Sequence, residues 1–243
     1  MTPNAGTTRS RADTADASWE TDHIDYQIDT WYEYDPVQHR ANMTRRVFSM
    51  VDASGAHFVK FRVDSIAGST GPIDMGTVHL SYYFQANADD RSLDGEIATA
   101  AVTVGNGVGY FDFSTGAQVD PSDRHASLDW DLAFFSYEIA QNCGPNGPGA
   151  CAAFQAHSEL TDPTDLDAFA EQPAGAPLFP DSPGSVLTNW YDYSPQTHQL
   201  SSKNRVYLLR SEERIYKFKI LGYYGSEGGV PVSGVYTFIW NQL

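Results

Sequence analysis

Asp129 and Asp131 stand two residues apart in Leu128-Asp-Trp-Asp-Leu-Ala-Phe-Phe135, a run whose alternation reads as a strand. That spacing puts both carboxyls on one face, and paired carboxyls are what acid–base hydrolysis of a glycosidic bond requires. The same geometry serves hydrogen bonds to neighbouring loops, and that is the reading taken. Asp162, Asp165 and Asp167 gather oxygen ligands of the kind calcium takes. Their spacing lacks the glycine and distal glutamate of an EF-hand loop, so a solvated acidic loop is expected. Cys143 and Cys151, the two cysteines of the chain, bracket a Gly/Pro/Asn loop. A disulfide there is worth roughly 2–3 kcal/mol on the chain-entropy estimate and implies an oxidising compartment; the alternative is two unpaired thiols. No G-x-S-x-G, H-E-x-x-H or phosphate-loop pattern occurs, and the chain reads as a non-enzyme.

These residues are positioned by a β-rich chain. In the Leu128 run one face carries Trp130, Leu132 and Phe134, and the other carries Ala133, Phe135, Tyr137 and Ile139. A strand apolar on both faces is covered on both, so it belongs in the middle of a domain. Val59, Phe61 and Val63 alternate with Phe58, Lys60 and Arg62, which gives a second strand, and Ala53-Ser-Gly55 is the turn of a hairpin leading into it. Thr99–Val104 and Gly109–Phe113 read as short strands. The Pro/Asp/Ala-rich stretch after Ala152 reads as a long ordered flap.

One unit occurs twice. Trp31-Tyr-Glu-Tyr-Asp-Pro36 is echoed by Trp190-Tyr-Asp-Tyr-Ser-Pro195, His39 by His198, and Arg46-Val-Phe48 by Arg205-Val-Tyr207. Val59-Lys-Phe-Arg-Val63 answers Tyr216-Lys-Phe-Lys-Ile220, and Leu80–Phe84 answers Tyr236–Trp240. The predicted organisation is a disordered leader over 1–18 and one all-β domain over 19–243. Within it, a first repeat unit (19–88) and a second (188–243) flank a central segment (99–187), with the two meanders packed around the central strand.

The formal charge of −16 excludes nucleic acid and anionic membrane surfaces as partners. No apolar run reaches the ~18 residues of a membrane span. The first residues lack the apolar stretch of a signal peptide, so the chain is cytoplasmic or its export signal lies outside it. Between Ser92 and Leu187 the basic residue is Arg124, against fourteen acids. An anionic ligand therefore has to be met by the repeats, with Lys203, Arg205, Arg210, Lys217 and Lys219 as donors; edge protection of strands is the alternative use of these cations.

Leu128-Asp-Trp-Asp-Leu-Ala133, followed by Tyr137-Glu-Ile and Asn142-Cys-Gly144, resembles the signature of the HmuY family, bacterial haem-binding proteins of the cell envelope. Tyr110-Phe-Asp-Phe-Ser-Thr-Gly116 is similar to that family's first strand and turn. Asn204-Arg-Val-Tyr207, Ile215–Lys219 and Val235–Phe238 are similar to its closing strands. The resemblance runs from about residue 99 to the C-terminus. It implies antiparallel sheets of HmuY-like type, gripping one haem between loops through two axial side chains. In the best-known member both are histidines, one just after the segment corresponding to Trp190–Ser194 and one on the long connection before it. Here the first position is Pro195 and the nearest imidazole is His198. The connection holds no histidine between Ser158 and Thr197, and His157 stands at its start. His198 and His157 are thus the candidate iron ligands, with Tyr191 and Tyr193 as phenolate or stacking residues and Lys203 and Arg205 as cations. His198 also has the bland reading of a structural turn residue, since His39 takes the same place in the first repeat.

The function this implies is non-enzymatic haem or porphyrin binding in haem capture and iron acquisition, for a secreted or cell-envelope protein. A host haem protein or an outer-membrane receptor is its macromolecular partner. The alternative is a structural or adhesive module of the same fold that has lost its haem ligands.

Overall fold

The computed structural model describes Trp19 and residues 21–243, apart from 39, 71–72, 157–161 and 163. The expected leader over 1–18 lies outside the described residues. The protein is all-β, 49% strand and 2% helical. It divides into two compact units, one of Ile24–Pro183 and one of Gly184–Leu243 with the residues up to His23.

Both units begin with the same local device. In the first, β1 (His23–Asp25) is followed by the hairpin of β2 (Tyr32–Asp35) and β3 (Arg40–Met43). Tyr32 faces Met43 there, and the Thr44 amide closes back on the Trp31 carbonyl at 3.1 Å. The meander β4 (Phe48–Val51), β5 (Phe58–Ala67) and β6 (Thr77–Phe84) follows. The predicted turn at Ala53–Gly55 lies between β4 and β5. Asp52 caps it, accepting from the Ala56 and His57 amides at 3.2 Å each.

β7 (Ala98–Thr103) joins one edge of this meander and β12 (Ala152–Gln155) the other, giving the order β12-β4-β5-β6-β7. A second sheet is built from β8 (Gly109–Asp112), β9 (Ala117–Val119), β10 (Leu132–Phe135) and β11 (Glu138–Gln141), in the order β11-β10-β8-β9. The sheets pack face to face because each presents alternate apolar residues. Phe61 meets Phe113 at 5.5 Å between ring centroids, and Tyr82 meets Phe111 at 5.5 Å.

β10 is covered on both faces, as its composition demands. Leu132 and Phe134 enter the main core, while Ala133 joins Trp130 and Ala140 in a separate cluster beneath Tyr26 and Tyr110. The apolar run is not one strand, however. Ser136 and Tyr137 have φ of 46° and 66°, so the chain reverses there in a two-residue turn of type I′ geometry, and Phe135 pairs with Glu138. Ile139 then faces the main core from β11, and Trp130 lies on the opposite side from Leu132. No Asn-Gly marks this turn. Tyr137 instead packs on Trp31 at 6.3 Å and 12° and on Tyr32 at 5.5 Å, and these contacts hold a non-glycine left-handed pair in place.

The stretch after β12 folds onto the outer face of the five-stranded sheet. Leu166 and Phe169 cluster there with Val47, Phe58 and Phe154. Cations from the sheet hold its main-chain carbonyls. Lys60 donates from Nζ to Leu166 and Phe169 at 2.9 and 3.0 Å, and Arg62 reaches Thr164 at 2.7 Å. Arg91 donates to Gln172 at 2.8 Å and to Pro173. Lys60 is buried with no carboxylate in contact among the described residues, and burial lowers its pKa against the pull of Asp167, Asp94 and Asp165.

β13 (Ser182–Gly184) pairs with β1, and a 3-10 turn over Val186–Asn189 follows. The second unit then repeats the sequence of elements: hairpin β14 (Tyr191–Ser194) and β15 (Gln199–Ser202), then meander β16 (Tyr207–Ser211), β17 (Arg214–Glu227) and β18 (Val230–Gln242). The registers recur too. Tyr191 faces Ser202, the Lys203 amide closes on the Trp190 carbonyl at 2.8 Å, and Tyr207 faces Phe218 as Phe48 faces Phe61. A bulge follows Ile220 as one follows Val63. The closing strands correspond two residues later than the likeness of letters suggests: Tyr82 faces Phe61, while Trp240, not Phe238, faces Phe218. Among the described residues, no strand flanks the second meander at either edge.

Two substitutions test these supports. Lys60→Met keeps the buried stem but leaves two carbonyls without a donor. It should cost about 1–3 kcal/mol in urea unfolding and speed amide exchange over 164–170. Asp131 accepts from the Ala53 and Phe113 amides at 2.7 and 2.8 Å, tying the two sheets, yet burial pushes its pKa up to about 7. The folded chain then holds a proton that the unfolded chain has lost above about pH 4. This group's contribution therefore favours folding most below pH 4 and declines as pH rises to 7, by on the order of 4 kcal/mol at most. Asp131→Asn should remove that slope from the pH profile of stability, leaving the part due to Asp181 and Glu138.

Candidate functional site

Among the sequence candidates, the structure brings together those of the β14–β15 hairpin. Ser185 caps the 3-10 turn through its side chain, accepting from Leu187 N at 3.2 Å, and the chain leaves the turn at the buried Trp190. β14 then carries Tyr191 and Tyr193 on one face, opposite Ser202 and Leu200. The four-residue loop Pro195–His198 closes with the His198 amide donating to the Ser194 carbonyl at 2.8 Å. His198 takes φ of 54°, a left-handed position that histidine, asparagine and aspartate fill more readily than most residues.

The imidazole is exposed, and its Nδ1 lies 2.6 Å from the Tyr193 hydroxyl. Tyr193 itself is 52% exposed. This bond fixes the ring and leaves Nε2 without a protein partner among the described residues. Lys203 approaches the base of the hairpin, its Nζ 2.6 Å from Asn189 Oδ1 and 3.4 Å from Asp192. Arg205 is exposed and follows Asn204, another left-handed residue with φ of 56°. Its charge acts on Tyr207, lowering a phenol pKa that burial raises.

β17 holds the hairpin from the side. The Tyr224 hydroxyl accepts from Leu200 N at 2.8 Å, and Ser202 Oγ donates to the Ile220 carbonyl at 2.5 Å. An aromatic cluster results: Trp190 meets Tyr191 at 5.3 Å, Tyr236 at 5.8 Å and Tyr223 at 6.4 Å, and Tyr223 meets Tyr236 at 5.2 Å. Tyr223, Tyr224 and Tyr236 were not among the sequence candidates. The readable signal was Gly222-Tyr-Tyr-Gly225, which extends β17 beyond the strand it echoes.

The remaining candidates, and the other histidines and methionines of the chain, lie elsewhere. His157 and His39 are outside the described residues. His57 is spent on the Asp52 turn at 2.9 Å, and His125 lies beside Arg124 at 3.1 Å. Met50 and Met75 are buried in the core and Met43 packs against it. Asp129 is exposed and bonded to Ser127 at 3.0 Å, whereas Asp131 is buried on main-chain amides, so the two do not work as a pair. Asp162 and Asp165 cap turns, accepting from Thr164 N at 2.9 Å and Asp167 N at 3.1 Å. Among the described residues, no three His, Cys, Asp or Glu side chains converge as a metal site.

Cys143 and Cys151 are both buried free thiols in the structure, not joined as the disulfide weighed from their spacing. The flap forms one side of a cleft of about 530 Å3, lined by Gln27, Phe154, Gln155, Pro173 and Phe179 among others. Among the described residues, neither the glycine loop nor an imidazole lines it.

Compared with known proteins, residues 106–240 match the model of the family described as HmuY protein. The match takes in β8 to β11 with the glycine loop, the flap and the second meander up to Trp240, and leaves the first meander outside. No curated protein matches the chain. A match over more than half of the 243 residues, carrying the Trp-Asp run and the Asn-Cys-Gly loop, settles the family: the chain belongs to the HmuY family.

Proposed function

We propose that the protein binds haem or a related porphyrin without transforming it, as a haem-capturing protein of the bacterial cell envelope, and that the β14–β15 hairpin supplies the iron ligand. The observation that carries the assignment is the Tyr193–His198 hydrogen bond. A histidine that ligates a metal is as a rule oriented through its other ring nitrogen, and here the Tyr193 hydroxyl does that at Nδ1. The second unit suits the group. Tyr191, Tyr223 and Tyr236, backed by the buried Trp190, offer aromatic surface of the kind a porphyrin stacks on. Six of the fifteen Lys and Arg residues but four of the thirty-one acids lie in Gly184–Leu243, so carboxylate side groups of a porphyrin meet this unit rather than the acidic remainder. Lys203 and Arg205 are the nearest cations to the hairpin in sequence. Bound there, haem would supply the iron and the planar apolar surface, and the protein the imidazole, the stacking rings and the positive charge. A host haem protein or an outer-membrane receptor would be the partner that gives up or takes on the cargo.

The adhesive or structural reading has its own support. β18 carries no charged residue, and Phe238, Ile239 and Trp240 are 50%, 54% and 63% exposed. Uncharged apolar strands at a sheet edge are pairing surfaces.

Haemin titration separates the two. Saturable binding with a shifted Soret band is expected, and its absence leaves the structural reading. His198→Asn, which preserves the left-handed turn, should abolish the ligand-field bands or convert them to those of a weaker ligand; an unchanged spectrum removes His198 as ligand. Tyr193→Phe keeps the ring but frees the imidazole, and should weaken haemin binding by about tenfold or more while the melting temperature stays within a few degrees.

A further inference from the structure

The two thiols that the haem reading leaves unused are placed by contacts that do not involve sulfur. Cys143 and Ala150 form an antiparallel bridge, the Asn146 amide donates to the Cys143 carbonyl at 3.1 Å, and Ala150 N donates to Ala53 at 2.9 Å. Asn146 Nδ2 is held by the buried Asp181 at 2.8 Å. The loop has no slack. A Cβ on Gly144 would meet the Asp181 carbonyl oxygen at 2.6 Å, and one on Gly149 would meet the Ala53 oxygen at 2.8 Å. The reduced fold therefore sets Cys143, through its bridge to Ala150, beside Cys151 in the main core, each 2% exposed.

We infer that Cys143 and Cys151 form an intramolecular disulfide during folding, and that the closed unit then seals whichever redox state it has captured. In the unfolded chain either thiolate can attack the S–S bond of a low-molecular-weight disulfide, giving a mixed disulfide and expelling one thiolate. The second cysteine's thiolate then attacks the protein-side sulfur and expels the other. The cysteines lose two electrons and two protons, and the oxidant's disulfide is reduced to two thiols. In the folded unit this route is shut. The sulfurs are out of reach of an exchange partner, and burial, with Asp131 and Asp181 near, pushes the Cys151 thiol far up, so the attacking thiolate does not form. The chain must then meet its oxidant unfolded, which suits export ahead of folding. Haem binding is not required for any step, and the two ideas fail separately.

The test is a comparison of order. Reduced, denatured protein is refolded in glutathione with glutathione disulfide, and native reduced protein is given the same mixture; both are then alkylated in denaturant and weighed intact. Refolded protein should take up no alkylating groups and be lighter by two hydrogens. Native reduced protein should take up two. Two alkylated cysteines or a glutathione adduct after oxidative refolding overturns the disulfide, and equally fast oxidation of native protein overturns the sealing. Protein secreted to an oxidising bacterial periplasm and weighed directly gives the same readout should refolding fail. A reductant applied in mild denaturant should lower the melting temperature of oxidised protein, and leave that of Cys143→Ser/Cys151→Ser unmoved.

Discussion

One buried carboxylate fixes how the larger unit is assembled. Asp131 lies just before β10, and its two oxygens accept one amide from the β4–β5 turn and one from the end of β8. The first belongs to the five-stranded sheet and the second to the four-stranded sheet, so a single side chain sets the spacing at which the sheets close on Phe61, Tyr82, Phe111 and Phe113. Asp181 does a comparable thing close by, accepting from Gln27, Gln141 and Asn146. Burial opposes the charge on both, and the amides offset part of that cost. Asp131, one of the two carboxyls that look like a catalytic pair, is thus committed to construction.

Legibility in the sequence followed the strength of the periodic signal. β5 was readable because Val59, Phe61 and Val63 alternate with polar or amphipathic neighbours over a long enough run. The double covering of β10 was readable because neither face of it is polar. The turn at Ser136–Tyr137 was not, since its left-handed pair carries no glycine or asparagine and is held by Trp31 and Tyr32, about a hundred residues away. Tertiary contacts that impose a turn leave no local trace. The flap was visible as a Pro/Asp-rich stretch, but its attachment was not, because Lys60, Arg62 and Arg91 bind main-chain carbonyls, and a carbonyl has no letter in a sequence.

The site was half legible for a related reason. His198, Tyr191, Tyr193 and Lys203 lie within one hairpin, so reading along the chain gathers them. Tyr223 and Tyr236 reach the hairpin only through the β17–β18 ladder, and pairing across a bulge at Gly222 is beyond what spacing can predict. The family signature also lies in a different unit from the hairpin. The Trp-Asp run and the glycine loop are in Ile24–Pro183, whereas every residue assigned to the ligand is in Gly184–Leu243. What identifies the lineage and what performs the proposed chemistry are under separate physical constraints.

The two meanders differ in one respect that bears on how such a protein changes over time. The first is enclosed by β12 and β7 and roofed by the flap, so almost any alteration in it is felt through neighbours on every side. Among the described residues the second has no strand beyond either edge, and its hairpin rests on a few hydrogen bonds and ring contacts. Substitutions at the loop Pro195–His198 can therefore accumulate at little expense to folding. A lineage built this way can exchange one ligand for another, or abandon it, while the enclosed copy keeps its own core intact.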